Sequence, residues 1–549
     1  MMELSRSYLE PSKVQTSNNQ MGFSLATDLS RPGVFLNAKV KDGLIFSRNM
    51  LVLHKIVCTN MIKVPKDHSN YQAWVQQEYL KELPEAIQRK DLAGLMKKKD
   101  SLNEEIAFLE REIQNNPITK SKEGYRHAVT RFWKWLYDAD HDAWIILDPV
   151  VSVQPDQVMF EAFSLDESMY GRVSLPNREL DLIEPLQRGT TNIDFSETLA
   201  KEFDRVRSYR PLTLKVGQES VEIATNIGTR EEKKIDLPET WVKGFLEVQS
   251  ATALATKSLK LTPATVSDLI SVLENHKDNV SPKSLKFLLE PNKRPLIEIE
   301  PWGITIQEQE YLYTGDKKET VRIWGRNRLL VLKEILPLSS NLEVRLLGSG
   351  LPSFWSLKTN EINLDLGLSG WSANDWASQA KFSLMSGQEK IDDQKLTRIS
   401  ALLKQSAGMQ PEELKKETGF TQLEVVNCLQ KLCSQGQAMF DFHNNIYRWR
   451  ELFPSHLIPK NEEENDTLKK AKLLIKTNNL AILDKKETEK GISFRATKGG
   501  GKKNTEMTLT LNPDGRAIDM NCSCYVYQRT KLRKGPCHHL IALMNLSES

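Results

Sequence analysis

Cys522-Ser523-Cys524, twelve intervening residues, then Cys537-His538-His539 is the stretch that decides how this chain is read. Three of the six cysteines fall within sixteen residues, in the pattern C-x-C-x12-C-x-H. Zn²⁺ takes four tetrahedral ligands of the thiolate and imidazole type, and a Cys₃His set fills all four, leaving no position for water. The spacing therefore predicts one structural zinc per chain, held by Cys522, Cys524, Cys537 and His539. It favours His539 over its neighbour His538.

Around that core, three thiolates and a neutral imidazole leave a net charge of about −1 on the metal site, which needs positive or hydrogen-bonding neighbours. The intervening loop supplies Arg529, Lys531, Arg533 and Lys534. His539 opens an apolar run, Leu540, Ile541, Leu543 and Leu546, predicted to be a helix packing under the metal. Upstream, Ile492 to Ala496 and Met507 to Leu511 alternate as strands do, and the turn Asn512-Pro-Asp-Gly515 leads into a third short strand. Gly499-Gly-Gly501-Lys-Lys lacks the spacing of a phosphate-binding loop and reads as a hairpin turn.

Residues 467–549 resemble a SWIM zinc finger, whose pattern is a strand pair, C-x-C, a loop, then C-x-H entering a helix; the match lies in Cys522, Cys524, Cys537 and His539. Tyr525 stands where proline is common, and His538 where lysine is common. Neither change removes a ligand. The resemblance implies binding to protein or nucleic acid and no particular reaction.

At 549 residues the chain is too long for one core. The expected class is α+β and multidomain. No apolar run approaches the roughly 18 residues of a membrane span, so no membrane association is expected. The start, Met1-Met-Glu-Leu-Ser-Arg-Ser, carries no export signal, and a reducing cytoplasm suits zinc thiolates. Cys58, Cys428 and Cys433 sit among apolar neighbours and are expected as buried thiols. A net charge of only +3 excludes a globally basic nucleic-acid coat but permits a local patch.

Composition and periodicity divide the chain as follows. Residues 1–20 form a flexible lead. Residues 21–190 form an aromatic-rich α+β domain with a helical hairpin. In it Gly33-Val-Phe-Leu36 and Leu44-Ile-Phe46 read as extended, Leu95, Leu102, Ile106, Leu109 and Ile113 make a coiled-coil-like seam, and Phe132-Trp-Lys-Trp135 is the aromatic centre. A mainly helical region follows at 191–290, with Thr262-Pro263 opening one helix. A mixed region occupies 291–390. Residues 391–452 give three amphipathic helices and a hairpin, a pattern that resembles a winged helix; 453–466 is a charged linker. The third of these helices exposes Gln422, Glu424, Asn427, Gln430 and Lys431, poor equipment for a phosphate backbone, with Arg448 and Arg450 adding modest charge on the wing. Protein docking or a structural role is the expectation there.

The whole order is similar to that of long bacterial SWIM proteins, through Arg31-Pro-Gly-Val-Phe, Arg131-Phe-Trp-Lys-Trp135, Trp324-Gly-Arg-Asn-Arg328 and Gly348-Ser-Gly-Leu-Pro-Ser-Phe354. That resemblance implies partners of the MoxR-type AAA ATPase and von Willebrand A classes. The favoured function is a non-enzymatic zinc-binding scaffold or adaptor for protein partners. The alternative is DNA or RNA binding, with Tyr525, Tyr527, Arg529, Lys531, Arg533 and Lys534 as contact residues. A second alternative is an enzyme using Asp148, Glu161 or Asp166 with His141, although no catalytic motif is present.

Overall fold

The computed structural model describes residues 13–16, 21–25, 33–59, 149–217 except 194, 196 and 210, 239–276 except 253 and 255, 283–370, 376, 391–452, 466–488, 491–499, 504–511, 517–530, 532 and 535–548, together with 99–103, 106 and 131. Two compact units are present: Met1–Met61 with Leu147–Ser549, and Ile62–Ile146. In the second unit residues 99–103, 106 and 131 are helical, and Leu102 and Ile106 are exposed. The rest of the seam, and the aromatic run at 132–137, lie outside the described residues.

The first unit is built on an eight-stranded antiparallel sheet, in the order Lys257–Leu261, Asn341–Leu346, Ser353–Thr359, Ile362–Leu368, Met169–Pro176, Gln157–Phe163, Val150–Val153, Gly189–Asn192. Its strands come from three of the expected segments, so the boundaries drawn at 190 and 290 do not separate cores. Strands such as Val150–Val153 and Gln157–Phe163 are buried along their whole length. Both faces of the sheet are covered, so these strands bury every residue, the polar Ser152 and Glu161 included, rather than alternating between core and solvent.

One cover is the helix Gly43–Val57, whose Ile56 and Leu53 approach so closely that a Cβ at Gly171 would sit 2.8 and 2.9 Å from them. Leu44-Ile-Phe46, expected as extended, is instead the first turn of this helix. Asp42 caps it by accepting a hydrogen bond from the Ile45 N–H at 3.0 Å. Cys58, expected to be buried, is exposed at the end of the same helix, whereas Cys428 and Cys433 are buried.

Two smaller sheets complete this part. One orders Lys13–Thr16, Met21–Leu25, Leu212–Val216, Leu36–Val40 and Leu180–Leu182; the other orders Ile304–Gln307, Leu296–Ile299, Ser284–Leu289 and Glu319–Trp324. The region 191–290, expected to be mainly helical, thus gives strands to three different sheets. Helix Pro263–Asn275 begins where Thr262-Pro263 predicts, with the Thr262 hydroxyl accepting from the Thr265 N–H at 3.2 Å.

Helices Asp393–Gln405, Pro411–Thr418 and Gln422–Ser434, then strands Ala438–Asp441 and Ile446–Trp449, enclose Ile399, Leu403, Leu414, Val425, Leu429 and Tyr447. Thr421 and Glu424 form a capping box at the third helix, and Gly419 ends the second with φ 72°. The third helix packs against helix Glu239–Thr252 and buries Asn427.

The carboxyl-terminal unit is an antiparallel meander, Leu480–Thr488, Gly491–Lys498, Thr505–Leu511 and Ala517–Cys522, with helices Asp466–Lys476 and His538–Glu548 packed on each other. Phe494, Ala496, Met507, Leu509 and Met520 form its core. Among the described residues no helix is long and apolar enough to cross a membrane.

Candidate metal centre

The last strand, Ala517–Cys522, delivers Cys522 to its end, and a bend at Cys524 brings the second thiol beside it. Two backbone-anchored bonds fix that bend: the Ser523 N–H donates to the Glu506 carbonyl at 2.9 Å, and the Glu506 N–H donates to the Ser523 hydroxyl at 2.9 Å. The chain then enters a short helix, Tyr525–Thr530, before Cys537 and the helix His538–Glu548 bring in the other two ligands.

Ligand atoms of Cys522, Cys524, Cys537 and His539 all lie within 4.8 Å of one another. A tetrahedral zinc with bonds of about 2.0–2.3 Å fits between such donors. Cys522, Cys537 and His539 are buried, and Cys524 is partly buried. Both ring nitrogens of His539 are buried with no hydrogen-bond partner. An imidazole so placed is costly unless something coordinates it. His539 is thus the histidine brought to the thiols, as spacing favours.

The thiols also press on one another. Cys537 is pulled below the ordinary thiol range, first by its contact with Cys522, while Cys522 is pushed up by the same contact. A dication that displaces all their protons removes that conflict. Outer contacts orient the set: the Tyr527 N–H points at Cys524 Sγ at 3.4 Å, and Gln528 Nε2 donates to the Cys522 carbonyl at 2.7 Å. His538, on the adjacent position, is pushed down to about 4 by burial, then by His539 and by Lys498 and Lys470.

The contact residues expected in the loop fare differently. Tyr525 is 74% exposed, and Arg529 donates to its hydroxyl at 3.3 Å. Tyr527 is buried, and its hydroxyl donates to the Met520 carbonyl, so it is a core residue and not a stacking platform. Lys531, Arg533 and Lys534 lie outside the described residues.

Arg448 and Arg450, expected to add charge to a wing, point the other way. Across the central sheet Glu161, Arg172, Asp365 and Ser356 stand in one register row, on the face opposite to Gly171. The hairpin closes over that row. Arg450 pairs with Glu161, which also accepts from the Tyr170 hydroxyl; His443 Nε2 lies 2.8 Å from Asp365 Oδ1; Arg172 Nε donates to Asp365 at 2.9 Å. Arg448 donates to Asp441 at 2.8 Å and to Asp156 at 2.6 Å. Both hairpin arginines are fully buried and paired, which removes them from any phosphate.

The carboxylates weighed for an enzyme are also engaged. Glu161 is tied as described, and Asp166 accepts from the hydroxyls of Ser164 at 2.6 Å and Ser168 at 2.7 Å. Asp148 and His141 lie outside the described residues. Sequence reading passed over Ser523 and Gln528 as supports of the knuckle; serine between two cysteines is the one signal that pointed there.

No family model matches this chain, and no curated protein matches it. Among solved structures it is similar to the Proliferating Cellular Nuclear Antigen of Entamoeba histolytica, with 12% identity over 41% of this chain and 89% of that chain and a TM-score of 0.29. Similarity extends to the PCNA2–PCNA3 complex of Sulfolobus tokodaii, 12% over 42% and 92% with a TM-score of 0.28, and to PCNA of Thermococcus kodakaraensis, 11% over 40% and 89% with a TM-score of 0.26. At these TM-scores the likeness carries no functional argument. The chain contains a Cys₃His cluster with the geometry to hold a metal ion, compatible with a zinc finger, on a fold of mixed helices and sheets.

Proposed function

We propose that this chain is a non-enzymatic scaffold whose zinc-held, SWIM-like carboxyl-terminal unit presents a fixed surface to partners. The observation that carries the reading is the ligand set: four protein donors within 4.8 Å fill a tetrahedral ion and leave no site for a substrate. Zinc here supplies folding energy, and the residues around it position the surface. The three-helix segment, with its hairpin seated on the central sheet, serves as an internal brace. Partners of the AAA ATPase and von Willebrand A classes belong to this proposal through the sequence resemblance. Affinity capture of the full chain from its native cell, with and without nuclease, tests it: the same protein partners are expected in both samples. Recovery of nucleic acid with no protein partner overturns it.

A second reading, nucleic-acid binding, is favoured by one observation. Residues 466–549 hold sixteen Lys and Arg against eight Asp and Glu, a net of +8, while the whole chain is only +3. Charge of this density on one unit is the electrostatic footprint of a polyanion partner.

A further inference from the structure

Part of that charge has a definite place. In helix Asp466–Lys476 the residues Leu468, Ala471 and Leu474 are buried against helix His538–Glu548. At about 100° per residue the opposite face centres on Lys469, Leu473 and Lys476, with Lys472 and Lys470 on its flanks. All five are exposed. The helix carries one carboxylate, Asp466, which pairs with Lys470 at 3.4 Å.

This arrangement works against the helix itself. Lys469 and Lys472 are three residues apart, Lys472 and Lys476 four, and like charges at those spacings repel. Lys469 and Lys470 lie near the amino-terminal end, where the helix dipole favours anions.

We propose that the face formed by Lys469, Lys472 and Lys476 docks on the phosphate backbone of duplex nucleic acid, without reading sequence; this rests on the nucleic-acid reading above. The three lysines rise over seven residues, about 10 Å, along one side of the helix. A duplex offers a regular row, about one charge per 1.7 Å of axis. Leu473 is the one apolar side chain on the face, whereas a protein partner of ordinary size buries an apolar core.

The test is fluorescence anisotropy of the full, zinc-loaded chain with a labelled 20-base-pair duplex of arbitrary sequence, from about 50 to 200 mM salt. Binding is expected with a log–log salt slope near −3, about −0.9 per phosphate contacted. The K469E/K472E/K476E chain should lose at least about tenfold in affinity at the lowest salt and most of that slope. K469Q/K472Q/K476Q, which keeps side-chain length and a helix-compatible residue, gives the same readout should the charge reversal fail to fold. Loss in either variant, with one zinc per chain retained, supports the proposal. Wild-type affinity in the helix variants, with loss in R529E/K531E/R533E/K534E, overturns this surface while leaving the nucleic-acid reading intact. No duplex binding by the wild type overturns both. Tighter binding of a 20-residue Glu-Leu repeat peptide than of the duplex overturns the proposal in favour of an acidic protein partner.

Discussion

Two small α+β regions of this chain, the three-helix segment with its hairpin and the zinc-held unit, look alike in sequence: short helices, a few strands, arginine and lysine near a turn. They use that charge in opposite directions. The hairpin turns Arg448 and Arg450 inward onto Asp441, Asp156 and Glu161, and the zinc unit turns Lys469, Lys472 and Lys476 outward. The role of a cation in a sequence is thus decided by its place in the fold: in the hairpin, carboxylates in register claim it, and on the lysine helix it faces solvent. The hairpin coheres through apolar packing and buried ion pairs, whereas the carboxyl-terminal unit has a modest apolar core beside its Cys₃His cluster.

Removing the metal should break the comparison most severely. Cys522→Ser or Cys537→Ser, or chelation, is expected to unfold residues 466–549 and leave the central sheet protected, as seen by hydrogen exchange, because structural zinc supplies about 10–16 kcal/mol in isolated fingers. Elemental analysis should find one zinc per chain in the wild type and none in the variants. A protected carboxyl terminus without metal sinks the assignment.

Next in size is the hairpin. Arg448→Ala strands the buried Asp441 carboxylate, and breaking such a pair costs about 3–5 kcal/mol in denaturant unfolding. Replacing Arg448 by Met together with Asp441 by Leu should recover most of that loss, since the desolvation penalty of both charges then disappears. Equal destabilisation by the single and double replacements counts against the ion pair.

Acid should affect the two regions by different chemistry. Burial alone would raise Asp365 and Asp441, yet both are held below the usual carboxylate range: His443 and Arg172 face Asp365, and Arg172 and Arg448 face Asp441. A carboxylate depressed on folding adds stability above its unfolded value, about 3.9, and loses it as pH falls further. The melting temperature of the body should therefore hold from about pH 7 to 5 and drop below about pH 4. In Asp365→Asn that drop should be shallower. The smallest effect is Thr421→Ala, which removes the cap of helix Gln422–Ser434 and should cost about 1 kcal/mol by the same denaturant measurement.

The metal centre was legible because ligand chemistry needs only residue type and spacing, and both are local. The helix start at Thr262-Pro263 was legible for the same reason, since it acts within one turn. What escaped sequence reading depends on distant pairing. Arg172 meets Asp365 across strands 193 residues apart, and neither Met169-Tyr-Gly-Arg-Val nor Ile362-Asn-Leu-Asp-Leu says which charge it faces. Leu44-Ile-Phe46 read as extended because β-branched and aromatic residues suit strands, while Asp42 was the cap that decided otherwise. Tyr527 read as a ligand for bases because it lies in the basic loop; its hydroxyl is satisfied by a carbonyl seven residues back.

The pairing of helix Asp466–Lys476 with helix His538–Glu548 sets an order in time as well as in space. During synthesis the lysine helix emerges more than sixty residues before its partner, and neither Cys537 nor His539 exists when the meander is first made. Until they do, Cys522 and Cys524 offer zinc half a site, and Leu468, Ala471 and Leu474 have nothing to cover them. On the proposed zinc reading the unit closes late and all at once, and a cell short of zinc would meet this protein with a finished body and an unfinished end.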